Sequence, residues 1–493
     1  MIPRYQNTEI STIWSNENKL QLWQQTELAV IKARVNLGKV EEKVFIEISE
    51  LLYGNRIDIE WWLSRDKEVG HDLNAFLDER LRFLPIELQQ YFHDGLTSYD
   101  TEEPAFAKMI WNSIIVFEVI LDSIKLILID MAERYRYTVM QGRTHGQEAE
   151  LQSFGKRCLT WLVSIMAGVK NLIRVKENLK YSKLSGAIGN YRGLEPAVEE
   201  EALRLLEFKP FYGATQIMPR ELYVPIAQAI CQIVLTLDKI ATDIRLGARS
   251  GRPIYQEPFG KKQKGSSAMP HKKNTILCEQ LEGMARMAKG FFGMINDNIK
   301  TWEERAIEQS SVERVAWPDI FHVAIHSAKT MDKVLRGLVV YPDNMLAEII
   351  DSRGCYAAGE AKEFLCHHGA VHMLCAEDAY RIIQLAAFNA FAPDDWAIKL
   401  RKNSWTSFEK VDNEFFYRRE RRKPTSIHDI IVNGNLVVSD QLDASKEVVQ
   451  KWNNVLCKIF SYVSIRNKWD QIFKPSYFLR GEATLYKEIL GRD

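Results

Sequence analysis

The chain has no excess charge of either sign: Lys and Arg number 65, Asp and Glu 65, and the formal net charge is +0. A nucleic-acid or membrane-surface protein would normally carry a basic excess, so no nucleic acid and no membrane is expected among its partners. Uninterrupted apolar runs of the ~18 residues that cross a bilayer are lacking. The opening Met1-Ile2-Pro3-Arg4-Tyr5-Gln6-Asn7 has none of the apolar centre of a signal peptide. A soluble, cytoplasmic protein is the expectation. Cysteines at 158, 231, 278, 355, 366, 375 and 457 are odd in number and scattered, which suits reduced thiols better than a disulfide framework. Proline is missing between Pro104 and Pro196 and again between Pro270 and Pro318, so nothing there forces a helix break. Alternating strand patterns with hairpin turns are scarce.

What is present is helical periodicity. Leu222, Ile226, Ile230, Ile233, Leu237, Ile240 and Ile244 recur at steps of three and four. So do Ile114, Phe117, Leu121, Ile124, Leu128 and Met131, and Leu277, Leu281, Met284, Met287, Phe291 and Met294. Stripes this long predict buried helices, hence an all-α protein with a central long-helix bundle. The 493 residues suffice for two or three domains. Pro104 and the loop before it suggest one boundary, and Ser352-Arg353-Gly354 a second. The expected division is 1–103, 104–353 and 354–493, with a loop-rich expansion inside the last. The run Arg418-Arg419-Glu420-Arg421-Arg422-Lys423-Pro424 reads as a solvated surface in a neutral protein.

Chemistry concentrates in Gly265-Ser266-Ser267-Ala268-Met269-Pro270-His271-Lys272-Lys273-Asn274, just ahead of the third stripe. A hydroxyl, a cation and an amide gather there where a loop becomes a helix, a place that favours anions. Such a loop suits holding a carboxylate while a neighbouring C–H proton is removed. The segment resembles the signature of the fumarase/aspartase superfamily, which breaks C–N or C–O bonds by β-elimination and releases fumarate. His271 and the basic residue after Lys272 resemble the branch acting on N-succinyl nucleotides. Thr275 stands where that family usually has proline.

Further motifs extend the resemblance over almost the whole chain, most weakly from 393 to 460. Gly142-Arg143-Thr144-His145-Gly146 resembles G-R-T-H-G, which implies His145 as general acid, with Thr144 beside the substrate. Gly70-His71-Asp72 resembles R-H-D, with His71 as a second active-site histidine and Asp72 on the substrate. Thr97-Ser98-Tyr99-Asp100 resembles T-S-S-D, whose hydroxyls bind the succinyl carboxylates. Arg4-Tyr5 and Thr215-Gln216 match segments that touch nucleotide and substrate, and Arg305, Ser310 and Arg314 match a phosphate-binding set. Phe473-Lys474-Pro475-Ser476-Tyr477-Phe478-Leu479-Arg480 resembles the closing F-x-P-x-Y-Y-L. The resemblance implies a three-domain fold and a homotetramer whose sites are shared between chains. Ser266 would be the general base and Lys272 and Asn274 would stabilise the carbanion. It implies a small succinylated substrate and no metal or organic cofactor, because a substrate carboxylate serves as the electron sink.

Several residues depart from the pattern. Gly70 replaces the arginine of R-H-D, Tyr99 the second serine of T-S-S-D, and Glu308-Gln309-Ser310-Ser311 the bacterial-type S-H-S-S. These surround the substrate pockets and keep open another succinylated amine or dicarboxylate as substrate. Gly260-Lys261-Lys262-Gln263-Lys264-Gly265-Ser266 imitates a P-loop but lacks the lysine after its second glycine. Cys366, His367, His368, His372 and Cys375 fit no standard zinc spacing. His322 and His326 lack the glutamate of H-E-x-x-H.

Overall fold

The computed structural model describes residues 1–391 and 425–491. The basic run at 418–424 lies outside them, as does part of the loop-rich expansion. The described chain is all-α apart from short strand pairs. Its helices include α1 (Asn16–Asn36), α2 (Ile59–Val69), α3 (Asp72–Leu81) and the 37-residue α4 (Ser98–Arg134). A hairpin follows, β1 (Val139–Thr144) with β2 (Gln147–Ser153), then α5 (Phe154–Lys176), α6 (Val224–Gly247), α7 (Ile276–Asp297) and α8 (Glu308–Arg336). The C-terminal part contributes α9 (Ala358–Gly369), α10 (Ala376–Ala390), α11 (Lys446–Ile459) and α12 (Val463–Ile472).

The chain divides into two compact units. One comprises 1–129, 161–249 and 255–339, the other 130–160, 250–254 and 340–493. In the first, α6, α7 and α8 pack on one another. The α6 stripe is wholly buried from Ile226 to Ile244, and each such side chain stabilises by roughly 1.5–3 kcal/mol. The α7 stripe behaves differently: Leu281 and Met284 are buried, but Met294 is 42% exposed. In the second unit, Leu365, Leu385, Trp452, Leu456 and Trp469 form the core. The closing motif is tied in there, because Tyr477 Oη donates to Glu360 at 2.9 Å.

Two features differ from the sequence reading. The loop before Pro104 gives way to helix earlier than the sequence suggests: α4 starts at Ser98 and runs through Pro104, losing only the bond its missing N–H would have made. Pro318 likewise sits inside α8. A hairpin does exist, and His145 is at its tip. His145 (φ 52°) and Gly146 (φ 76°) supply the two left-handed residues of a tight hairpin turn. Polar residues on both faces of β1 hid the alternation. Gly142 is required at the irregularity between Gln141 and Arg143, where a Cβ would lie 2.4 Å from the Glu150 carbonyl oxygen.

By length and mean hydropathy alone α5 and α6 could cross a bilayer, although neither is an uninterrupted apolar run. The buried stripe of α6 marks it as a core helix.

Candidate active site

The signature loop folds back on itself. A Cβ at Gly265 would stand 2.7 and 2.8 Å from the carbonyl oxygens of Pro270 and Lys272, so only glycine fits. Ser266 N–H donates to the Lys272 carbonyl at 3.3 Å, and Lys272 N–H to that of Met269 at 2.9 Å. As a result Ser266 Oγ accepts the backbone N–H groups of Ala268 (3.3 Å) and Met269 (3.2 Å). Two donors aimed at one hydroxyl oxygen favour its deprotonated form. The helix N-terminus next to the loop is partly committed elsewhere: the Leu277 and Cys278 N–H groups donate to Glu257 at 3.1 and 3.0 Å. Glu257 thus caps α7, and Thr275 makes no side-chain cap.

A second cluster forms where α2 gives way to α3. Gly70 ends α2 at φ 68°, a conformation that strains an L side chain by roughly 1–2 kcal/mol. The glycine in place of the R-H-D arginine therefore has a local backbone reason. His71 caps α3, its Nδ1 accepting the Asn74 N–H at 3.4 Å, which leaves Nε2 facing Ser98 Oγ at 3.4 Å. Asp72 is buried and pairs with Arg314 at 2.8 Å, while Lys19 stands 3.9 Å away. Arg314 Nε donates to Ser310 Oγ at 3.2 Å.

Beside it, Asp100 accepts the Thr97 N–H at 2.8 Å and pairs with the fully buried Lys183 at 2.7 Å. Lys183 also donates to the carbonyl of Gln216 at 2.9 Å, so it ties the Thr97-Ser98 turn to the Gln216 loop. Gln216 Oε1 in turn accepts from Arg305 at 3.0 Å.

A cavity of about 360 Å³ opens on this cluster, lined by Lys19, Asp72, Tyr99, Glu102, Ser310 and Arg314 and walled by Trp14, Trp23 and Trp62. Sequence reasoning missed Lys19, Glu102 and Lys183. The single available signal was Lys19 one helical turn before Trp23, whose ring it covers at 4.8 Å. Desolvation is the main cause that pulls the Lys19 ammonium below its ordinary range. Desolvation first, and the Asp72 charge second, push the half-buried Glu102 up to about 8.

A raised carboxylate pKa favours the fold while the group is protonated. Glu102's contribution is therefore complete below the unfolded value of 4.5 and lost as pH rises through about 8. Glu102→Gln should flatten that fall. Denaturant titrations at about pH 5 and about pH 9 should show the variant gaining on wild type at the higher pH, by at most a few kcal/mol. Parallel curves at both pH values would contradict this.

Other expected residues lie elsewhere. Ser266, Lys272 and Asn274 ride on their own loop, with no hydrogen bond to the cluster among the described residues. Thr144 and His145 belong to the second compact unit. Arg4 and Tyr5 sit on a short turn along the later part of α8, where Tyr5 packs edge-on against His326 at 5.0 Å. The Asn7 N–H donates to His322 Nδ1 at 3.0 Å, so both α8 histidines serve to dock the N-terminal segment. Among the described residues, no group of three or more His, Cys, Asp or Glu side chains is placed to hold a metal.

The long-helix unit, the serine-bearing loop and the His71–Ser98 pair beside the Asp72–Arg314–Ser310 cluster belong to a lyase of the fumarase/aspartase class. Solved structures share the fold. A fumarate lyase from Mesorhizobium sp. BNC1 aligns with a TM-score of 0.77 at 19% identity, covering 100% of this chain and 99% of its own. The β-carboxy-cis,cis-muconate cycloisomerase of Acinetobacter calcoaceticus gives 0.75 at 18%, covering 98% of each. The lyase family matches residues 6–290. Adenylosuccinate lyases from Synechocystis and Thermotoga maritima are each 34% identical, over 79% of this chain and 89% of their own. The chain belongs to the adenylosuccinate lyase family of that superfamily. It is a carbon–nitrogen lyase, and its reaction is a β-elimination from a succinyl-bearing substrate.

Proposed function

We propose that the substrate is an N-succinyl nucleotide, with adenylosuccinate split to AMP and fumarate and SAICAR to AICAR, reactions of purine biosynthesis. The observation that carries this reading is the cavity cluster: Arg314, Ser310 and Lys19 offer a fork, a hydroxyl and an ammonium to phosphate beside His71 and Ser98. In this reading Ser266, deprotonated with the help of its two backbone donors, removes the Cβ proton. The electron pair spreads onto the adjacent carboxylate, held by Lys272, Asn274, Thr97 and Ser98. The Cα–N bond then breaks, His145 protonates the departing nitrogen, and fumarate leaves. His71 positions the substrate for that transfer. Arg4 and Tyr5 act on the nucleotide from the N-terminal turn.

We further propose the cytoplasm as the location, three domains per chain, and a homotetramer whose sites draw on three chains. Apolar residues on exposed helix faces support the tetramer: Val119 (67% exposed) and Leu126 (64%) on α4, and Val163, Met166 and Ile173 on α5. An uncovered face of this length invites association. A panel of succinylated nucleotides and amines, followed by fumarate absorbance, tests the substrate. Adenylosuccinate should be among the best substrates. A second reading, another succinylated amine, is favoured by the bulk of Tyr99 at the cavity wall, and it would prevail if a non-nucleotide substrate led the panel.

A further inference from the structure

Two of the chain's departures from its family's motifs are far apart in sequence yet touch in the fold. Tyr99, where the motif has serine, is 5% exposed, and its Oη accepts from Gln309 Nε2 at 2.7 Å. Gln309, where the bacterial-type motif has histidine, is 1% exposed and also reaches Glu313 at 3.4 Å. Its backbone carbonyl accepts from Asn298 at 3.0 Å, so its own position is fixed. A serine is shorter than a tyrosine by a whole ring, so this bond between positions 99 and 309 depends on the tyrosine.

The Tyr99 ring is also a platform. The Arg305 guanidinium carbon lies 4.2 Å from its centroid, and Arg305 donates to Gln216 at 3.0 Å. Tyr99 lines the cavity with Ser310 and Arg314, whereas Arg305 and Gln216 do not. The expected anion-binding trio is thus divided, with Arg314 and Ser310 on the cavity and Arg305 held flat on an aromatic face. A guanidinium stacked in this way holds its N–H donors in one plane, and those not taken by Gln216 are left for an anion.

We propose that Tyr99 and Gln309 are a coupled positioning pair that aims Arg305 at the anionic end of the substrate, and so set the preference for a phosphorylated over an unphosphorylated succinylamine. This rests on the nucleotide reading above. The pair touches no reacting atom. Its effect is carried by Arg305.

The test compares the full-length protein with Tyr99→Leu, Tyr99→Phe and Gln309→Leu. Kinetics are measured on adenylosuccinate and on its 5′-dephosphorylated nucleoside, with thermal melts as a folding control. Tyr99→Leu, which removes the platform, should raise KM for the phosphorylated substrate about tenfold, with a smaller effect on kcat and little change on the nucleoside. Tyr99→Phe keeps the ring and should rescue KM to within about threefold of wild type. Gln309→Leu, which frees the hydroxyl but keeps the ring, should shift the same ratio about threefold and serves if Tyr99→Leu does not fold. Equal losses on both substrates, or no loss on either, would overturn the proposal. Inorganic phosphate provides an arm independent of turnover: the rise in melting temperature it gives wild type should shrink in Tyr99→Leu and persist in Tyr99→Phe. A wild type inactive on both substrates sinks the nucleotide reading, while the phosphate arm still judges the pair. An unchanged phosphate response in Tyr99→Leu sinks the pair alone.

Discussion

Ser266→Ala is expected to lose at least the ~10²–10⁴-fold in kcat typical of a removed general acid–base group. The argument is geometric as well as chemical. Serine is a poor base, and two backbone N–H groups at 3.3 and 3.2 Å are what the loop offers to stabilise its alkoxide. Alanine keeps the backbone of the loop. The donors it orphans are exposed to water, so the fold should lose little. KM should stay near the wild-type value, because the hydroxyl acts on the Cβ proton and not on substrate binding. A variant within about threefold of wild type in kcat would remove Ser266 from the role of base.

His145 should show a loss of the same order, and its location dictates which variant to use. At φ 52° the residue lies in the left-handed region, which asparagine tolerates better than most side chains, so His145→Asn preserves the hairpin tip. The single variant should lose rate and the alkaline limb of its pH profile, because a general acid works only while protonated. Its larger use is in complementation. If sites draw Ser266 from one chain and His145 from another, mixing inactive Ser266→Ala with inactive His145→Asn should rebuild about one site in four after random subunit exchange. Failure to recover activity after verified exchange, or a monomer by light scattering, would contradict the shared site.

These predictions draw on parts of the molecule that differed in how legible they were. The helix stripes at 226–244 and 114–131 were readable because burial imposes a 3.6-residue period, and both are buried as expected. The signature loop was readable because its chemistry is packed into ten consecutive residues. Lys19, Glu102 and Lys183 were not, because each matters through partners about 30 or more positions away. Lys183, for example, joins Asp100 to the Gln216 loop. The hairpin under His145 escaped because its strands are short and mostly polar, and the Glu257 cap because it lies about 20 residues before the donors it serves. Pro104 lies inside a helix because a single lost hydrogen bond is tolerable over 37 residues.

The account stands most directly on the products. Purified wild-type protein is given adenylosuccinate, and fumarate and AMP are quantified together. A β-elimination from this substrate predicts both, in one-to-one ratio and with progress curves that superimpose. AMP accompanied by malate in place of fumarate would mean hydrolysis, and no AMP at all would mean a different substrate; either result would contradict the account.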